Sequence, residues 1–102
     1  MFQNKEKRAK KPRQCSQTRE FKKSWERYTR AGRRDMHEAR HVMTLLFLGE
    51  PLPSSYRDHE LVGEWKGFRE CHVGGDFLLI YELPNPDLVI FVDIGSHAEL
   101  FR

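Results

Sequence analysis

Residues 66–94 read KGFRECHVGGDFLLIYELPNPDLVIFVDI, and this stretch decides most of the sheet. It holds three runs whose length and content of β-branched and aromatic residues are typical of strands, at residues 66–73, 76–83 and 88–94. Gly74 and Gly75 favour a tight hairpin turn between the first two runs, and the Pro-Asn-Pro-Asp segment at 84–87 connects the second to the third. The stretch therefore predicts an antiparallel meander.

Two helical patterns precede the meander. Thr18 is a suitable N-cap for the first helix, Gly32 is a suitable stop, and aromatic residues recur on one face between them, at Phe21, Trp25 and Tyr28. Asp35 can start a second helix that runs to about residue 48, where Gly49 and the prolines after it end the pattern. Because the connection between the helices is short, they are expected to form an antiparallel hairpin.

This order of elements predicts an α+β fold, in which an N-terminal helical hairpin packs on a small antiparallel sheet of three to four strands. Residues 12–16 are the candidate for a short edge strand. We expect residues 12–102 to form a single domain. Residues 1–11 are polar and rich in lysine, without periodicity, and are expected to form a disordered basic extension.

The formal net charge of +3 conceals a strong asymmetry along the chain. Residues 1–34 carry thirteen Lys or Arg against three Asp or Glu, a balance of +10, whereas residues 35–102 carry five against twelve, a balance of −7. Such a split favours contact between the basic part and a polyanion such as RNA. The alternative interpretation is a solvated, basic tail and helix that only keep the protein soluble.

No apolar run approaches the roughly 20 residues that a membrane span needs. The charged N-terminus is not followed by the apolar stretch of a secretory signal. We therefore expect a cytoplasmic protein with no membrane partner.

Residues 37–41 read HEARH and match the H-E-x-x-H pattern of zinc peptidases. In that pattern both imidazoles leave one helix face to share a metal ion, and a third ligand comes from elsewhere. Here the apolar stripe of the helix centres near Ala39 and Met43, so His37 and His41 are expected to face solvent. A zinc peptidase therefore remains only an alternative, which the metal content of the purified protein would test.

From Met43 onward the sequence resembles the YafQ branch of the RelE/ParE toxin superfamily. The likeness spans about sixty residues, and the segments that carry it are MTLL (43–46), PLP (51–53), YRDH (56–59), GxWKGFRxxHV (63–73), DFxLIY (76–81) and GSHAxLF (95–101). The resemblance implies a RelE-like fold and a ribosome-dependent endoribonuclease that cuts mRNA in the decoding site. It also implies a cognate antitoxin of the ribbon-helix-helix, DNA-binding type that neutralises the toxin.

Cleavage of RNA without a metal or other cofactor needs a base for the 2′-hydroxyl, an acid for the leaving 5′-oxygen, and groups that hold the phosphate charge. Histidine suits the first two tasks because its ordinary pKa lies near neutrality. The resemblance assigns catalysis to His59, His72, Asp76 and His97. His72 and Asp76 flank the predicted hairpin turn, so the carboxylate is expected to orient that imidazole.

Two aromatic residues and two cations are the candidates for binding RNA. The resemblance implies that Phe77 and Phe101 stack on bases, although Phe101 could equally pin the C-terminal turn to the core. A family relative has an arginine for the phosphate where this chain has Asp93. Lys66 and Arg69 are possible replacements, and the alternative for Arg69 is an internal ion pair with Glu70 or Asp93.

The residue at position 93 leaves a second function open, that of a non-catalytic RNA- or ribosome-binding module of the same fold. The basic extension is a further candidate for contact with ribosomal RNA.

Overall fold

A computed structural model describes residues 11–101, in which five strands and three helices are found. The strands are β1 (Gln14–Gln17), β2 (His59–Glu60), β3 (Phe68–Gly74), β4 (Phe77–Asn85) and β5 (Leu88–Gly95). The helices are α1 (Arg19–Ala31), α2 (Met36–Leu48) and α3 (His97–Leu100). All of the predicted extension except Lys11 lies outside the described residues.

The two long helices begin and end where the sequence predicts. The Thr18 side chain accepts a hydrogen bond from the Phe21 backbone N–H, and Asp35 caps α2 in the same way through Glu38. Gly32 and Gly49 follow the two helices with φ of 66° and 75°, in the left-handed region that glycine adopts without strain. Local capping chemistry is therefore sufficient to set these boundaries.

The sheet is larger than predicted and is mixed. Its order is β1-β5-β4-β3-β2, and the expectation of three to four antiparallel strands is wrong in both respects. β1 pairs in parallel with β5, whereas the remaining pairs are antiparallel. The sequence of β1 is Gln-Cys-Ser-Gln and all four residues are exposed, so no apolar alternation shows its pairing. β2 has only two residues, which is too short for a sequence pattern.

Both long helices cover one face of this sheet. The buried cluster joins Phe21 of α1 and Val42 of α2 to Leu79 of β4 and Phe91 of β5. The Arg40 guanidinium lies 5.2 Å from the centre of the Trp25 ring and links the two helices. The opposite face of the sheet is therefore not covered by α1 or α2.

No helix within residues 11–101 has the length and apolar character needed to cross a lipid bilayer.

Candidate active site

The face of the sheet turned away from α1 and α2, called the open face below, carries polar residues of β3, although its Leu78 and Ile80 are buried. Alternate residues of a strand point to the same face, so Glu70 and His72 share the open face while Cys71 packs into the core beneath the helices. The pairing of β2 with β3 puts His59 directly opposite Glu70. The register of a two-residue edge strand thus brings His59 beside His72.

Three imidazoles surround the carboxylate of Glu70. Its Oε2 atom lies 3.4 Å from Nε2 of His72, 3.6 Å from Nε2 of His59 and 3.9 Å from Nε2 of His97. The Glu70 side chain is 4% exposed, whereas the side chains of His59 and His97 are 50% and 56% exposed. A carboxylate removed from water needs charged or donating partners, and the imidazoles occupy those positions.

Asp76 is joined to His97. Its Oδ1 atom accepts a hydrogen bond from the His97 backbone N–H at 3.0 Å and lies 3.1 Å from Nδ1 of the same residue. These hydrogen bonds, the backbone one foremost, hold the pKa of the Asp76 carboxyl below its ordinary value. The expectation that Asp76 orients His72 is therefore wrong. Asp76 lies in the turn itself, which points its carboxylate toward the start of α3.

His59 lies between two hydrogen-bond acceptors. Its Nδ1 atom is 2.7 Å from the carbonyl oxygen of Arg57, and its Nε2 atom faces the Glu70 carboxylate. Oxygen atoms therefore face both nitrogens of the His59 ring and orient it in the site. Arg57 has a φ of 51°, in the left-handed region, which turns the chain into β2.

Phe101 closes one side of the site. Its ring centre lies 5.7 Å from that of His97 and 5.3 Å from that of Trp65, and Trp65 in turn contacts Phe68 at 5.6 Å. The ring therefore pins the end of α3 against the open face of the sheet. Phe101 is half-buried, so part of its surface stays available to a base, and stacking on RNA remains a prediction.

Phe77 is not available to RNA. It is 2% exposed, its ring packs edge-on against Tyr28 at 5.0 Å, and the Arg34 guanidinium covers it at 5.1 Å. The expectation that Phe77 stacks on bases is therefore wrong. As the first residue of β4 it points to the helix-covered face, where the core takes up its ring.

Arg69 lies on the opposite face of the sheet from the imidazoles. Its guanidinium pairs with Asp58 at 2.8 Å and also donates to the Tyr81 hydroxyl. The bond to Asp58 raises the pKa of Arg69. The expectation that Arg69 contacts phosphate is therefore wrong in this arrangement. The alternative, an internal ion pair, is correct, but the partner is Asp58 and not Glu70 or Asp93.

Of the remaining candidates near the phosphate site, Asp93 is hydrogen-bonded within the protein and Lys66 is exposed. The Asp93 carboxylate accepts a hydrogen bond from the Ser24 hydroxyl of α1 at 2.7 Å, so it is engaged by the helix. Lys66 is exposed in the loop before β3, next to Trp65, and its role in binding RNA remains a prediction.

Glu99 ties α3 to α1. Its carboxylate accepts hydrogen bonds from the Tyr28 hydroxyl and from the Ser96 backbone N–H, and it lies 3.8 Å from the Arg27 guanidinium. These bonds, that from Tyr28 foremost, lower the pKa of Glu99. The helix that carries His97 is thereby held both by α1 and by the β3–β4 turn.

The HEARH motif does not form a metal site. His37 and His41 are exposed, as predicted, and the Glu38 carboxylate accepts a hydrogen bond from the Tyr56 hydroxyl. Among residues 11–101, no group of three or more His, Cys, Asp or Glu is arranged to hold a metal ion.

Two grooves border the site. One of about 320 Å³ is lined by Arg57, His72 and the β3–β4 turn. The other, of about 420 Å³, lies between α1 and α3 and is lined by Lys23, Arg27 and Asp93 among others. The second groove also contains the carboxylates of Glu20 and Glu99, so its lining is not uniformly positive.

Sequence reasoning missed Glu70 and Trp65 as parts of the site. Glu70 is two residues before His72, so strand alternation alone signals that the two share a face. Trp65 gives no comparable signal, because its contact with Phe101 joins two distant loops.

All residues of this site lie in the part of the chain that matches a known protein family. Residues 13–102 fit the sequence profile of the family described as "Bacterial toxin of type II toxin-antitoxin system, YafQ". The chain belongs to the YafQ toxin family. This membership confirms the resemblance noted in the sequence.

Individual YafQ proteins agree with the family match. The mRNA interferase toxin YafQ of Escherichia coli strain K12 is 46% identical over 69 residues, which cover 67% of this chain and 74% of that protein. The toxin in the crystal structure of the E. coli DinJ-YafQ complex superposes with a TM-score of 0.80 at 37% identity, covering 88% of this chain and 99% of that one. A metal-bound toxin from Helicobacter pylori gives 0.78 at 34% identity, covering 86% and 98%. The α+β, YafQ-like fold is confirmed.

Proposed function

We propose that this protein is an mRNA interferase toxin, a ribosome-dependent endoribonuclease that a cognate antitoxin silences. The observation that carries the proposal is the cluster of His59, His72 and His97 around one carboxylate, with Asp76 bonded to His97. The E. coli relative is named an mRNA interferase toxin, which supports the same activity here.

The proposed reaction is a transesterification within the RNA, accompanied by two proton transfers. The 2′-oxygen attacks the neighbouring phosphorus, the P–O2′ bond forms, and the P–O5′ bond breaks. One imidazole takes the 2′-hydroxyl proton, and another gives a proton to the departing 5′-oxygen. The products are a 2′,3′-cyclic phosphate and a 5′-hydroxyl, and exchange with water restores both imidazoles.

The hydrogen bonds suggest how these tasks divide. His97 is held through Nδ1 by Asp76, and its Nε2 lies 3.9 Å from the Glu70 carboxylate, beyond hydrogen-bond distance, so this nitrogen is proposed to take the 2′-hydroxyl proton and His97 is the proposed base. His59, between two acceptors, is the proposed acid and a source of positive charge for the phosphate. His72 is the least exposed of the three and completes the charge around the phosphodiester.

The basic face of α1 is the proposed path for RNA. Lys22, Lys23, Arg27 and Arg30 are exposed, and Arg27 reaches α3 next to the site. Lys66 and Phe101 are the proposed contacts on the other side. Contact of the basic extension with ribosomal RNA is also proposed, although that segment lies outside the described residues.

An antitoxin is the proposed protein partner. A solved E. coli relative is a DinJ-YafQ complex, which supports a comparable pair here. We expect the antitoxin to be a ribbon-helix-helix, DNA-binding protein, and the toxin to act in the cytoplasm, where ribosome-bound mRNA is found.

Primer extension on a defined mRNA tests this function. New RNA ends are expected with ribosomes and not without them, and His97→Ala is expected to lower the cleavage rate roughly 100- to 10,000-fold. His41→Ala, on the exposed face of α2, is the matched control and is expected to cleave normally. Intact mRNA on ribosomes after treatment with the wild type would refute the proposal.

The same assay with a chelator tests whether the chemistry is independent of metal, a question that the metal-bound H. pylori relative makes pertinent. Because EDTA would also remove the Mg²⁺ that ribosomes need, the toxin is treated with the chelator and separated from it before it is added to the ribosomes, and we expect full cleavage. A loss that added metal restores would overturn the acid–base scheme while leaving the nuclease in place.

Asp93 supports a second candidate, the non-catalytic RNA-binding module. A carboxylate at this position supplies no positive charge to a phosphate, and here it bonds to Ser24 instead. This candidate predicts salt-sensitive binding of RNA and no new ends in the primer-extension assay.

A further inference from the structure

We propose that Glu70 is a positioning residue of the site, whose buried carboxylate holds the rings of His59, His72 and His97 in one cluster. Glu70 acts through the imidazoles and does not touch the RNA. This role rests on the nuclease function proposed above.

Burial and charge point to this role. The Glu70 side chain is 4% exposed, and within residues 11–101 its ion pairs are with the three imidazoles rather than with any Lys or Arg. A carboxylate in such a place requires positive charge or donated hydrogens from whatever surrounds it. Among the described residues, the groups that form ion pairs with Glu70 are the rings that the reaction uses.

The sheet makes Glu70 the most firmly placed member of the cluster. β3 is paired on both sides, and Glu70 lies opposite His59 on β2 and opposite Ile80 on β4. His59 belongs to a strand of two residues, and His97 begins a helix of four. Elements this short do not fix a side chain by themselves. The Glu70 carboxylate, held in place by the sheet, therefore orients the imidazole rings of three residues that belong to three separate segments.

Charge and shape can be separated by substitution. Glu70→Gln keeps the size of the side chain but removes the charge and one acceptor. Removing one partner of a buried ion pair is costly when the other charge stays buried, but the side chains of His59 and His97 are 50% and 56% exposed. A loss of activity that exceeds any loss of stability therefore identifies positioning rather than folding. Glu70→Asp keeps the charge but draws it back from the rings.

Multiple-turnover cleavage of ribosome-bound mRNA at several substrate concentrations, together with thermal melting, measures both properties. For Glu70→Gln we expect kcat to fall roughly 10- to 100-fold with KM nearly unchanged, since the substrate-binding surface is intact. The melting temperature is expected to stay close to that of the wild type. Glu70→Asp is expected to recover part of kcat. Glu82→Gln, on the neighbouring strand β4, is the matched control and is expected to behave as wild type.

The ring signals of the five histidines give a readout that does not depend on cleavage. In carbon–proton NMR spectra, Glu70→Gln is expected to shift or broaden the imidazole signals of His59, His72 and His97. The signals of His37 and His41, exposed on α2, are expected to stay in place.

Each outcome decides something. If Glu70→Gln cleaves as fast as the wild type, or if kcat falls only in step with thermal stability, Glu70 has no positioning role and the nuclease function stands. If the wild type itself does not cleave, the nuclease function fails, and unchanged ring signals in Glu70→Gln would overturn the positioning role as well. Should Glu70→Gln not fold, Glu70→Asp decides: an unchanged kcat overturns the role.

Discussion

Asp76 holds His97 at two points, because one carboxylate oxygen accepts from the backbone N–H at 3.0 Å and lies 3.1 Å from Nδ1 of the ring. The β3–β4 turn therefore fixes both where α3 begins and how its first side chain is rotated. A ring held in this way has its second nitrogen available for proton transfer. The pair is the most direct link between the sheet and the proposed base.

Replacement of Asp76 by Asn is expected to slow cleavage about 10-fold or more, because the amide can present the wrong group to Nδ1 and favour the other tautomer. The cleavage rate of ribosome-bound mRNA measures this effect. Normal cleavage by the variant would show that Asp76 does not orient the base.

The same substitution changes how stability depends on pH. The pKa of Asp76 is lowered from its ordinary value of 3.8, so its charged form stabilises the folded protein. That contribution is present above the ordinary pKa and is lost as the pH falls through the lowered value. In urea unfolding, the wild type is expected to exceed Asp76→Asn in stability at neutral pH, with the gap closing below about pH 3.8. A gap independent of pH would contradict this.

A modified substrate separates the proposed acid from the proposed base. When sulfur replaces the 5′-oxygen at the cleaved bond, the leaving thiolate no longer needs a proton, so the acid becomes dispensable. We expect this substrate to restore cleavage by His59→Ala but not by His97→Ala. Restoration of His97→Ala instead would exchange the two roles.

Arg69 is expected to matter for stability and not for RNA. Arg69→Met leaves the Asp58 carboxylate without its cation, at a cost of about 1.5–3 kcal/mol in the free energy of unfolding. The double variant Asp58→Asn/Arg69→Met should lose less than the sum of the single changes, since the two residues interact directly. Weaker RNA binding with unchanged stability would show that Arg69 contacts RNA after all.

Lys23 is expected to contribute to RNA binding through charge alone. Lys23→Gln should reduce the slope of log affinity against log salt by about 0.7, the value for one lost phosphate contact on a single strand. Arg40→Gln removes a charge from α2 and is the control, with an unchanged slope expected. Equal slopes for Lys23→Gln and the wild type would remove this part of α1 from the RNA path.

The histidines were predictable as a group, whereas their partners were not. The family pattern pointed to His59, His72 and His97, and the structure brings them around a single carboxylate. The sequence suggests that carboxylate, Glu70, only as a partner for Arg69. The two residues are adjacent in a strand and point to opposite faces, so the ion pair between them was never available.

Aromatic residues show the same division. Phe21, Trp25 and Tyr28 recur at helical spacing, a pattern typical of a core stripe, and in the structure Phe21 is in the core with Trp25 and Tyr28 packed against it. Phe77 was expected to face RNA, but the strand register turns its ring under Tyr28 and Arg34. A shift of one residue in register reverses every side chain of a strand, and no local pattern at the hairpin reports that choice.

Periodicity, capping and turn chemistry act between residues a few positions apart, so the helices, their caps, the three long strands and the hairpin between the first two can be predicted from the sequence. The parallel pairing of β1 with β5, the ion pair of Arg69 with Asp58 and the place of Glu70 among three imidazoles cannot. These contacts join segments far apart in the chain, and their energies depend on strand register and on which face each side chain occupies, which is settled only when the whole sheet has paired.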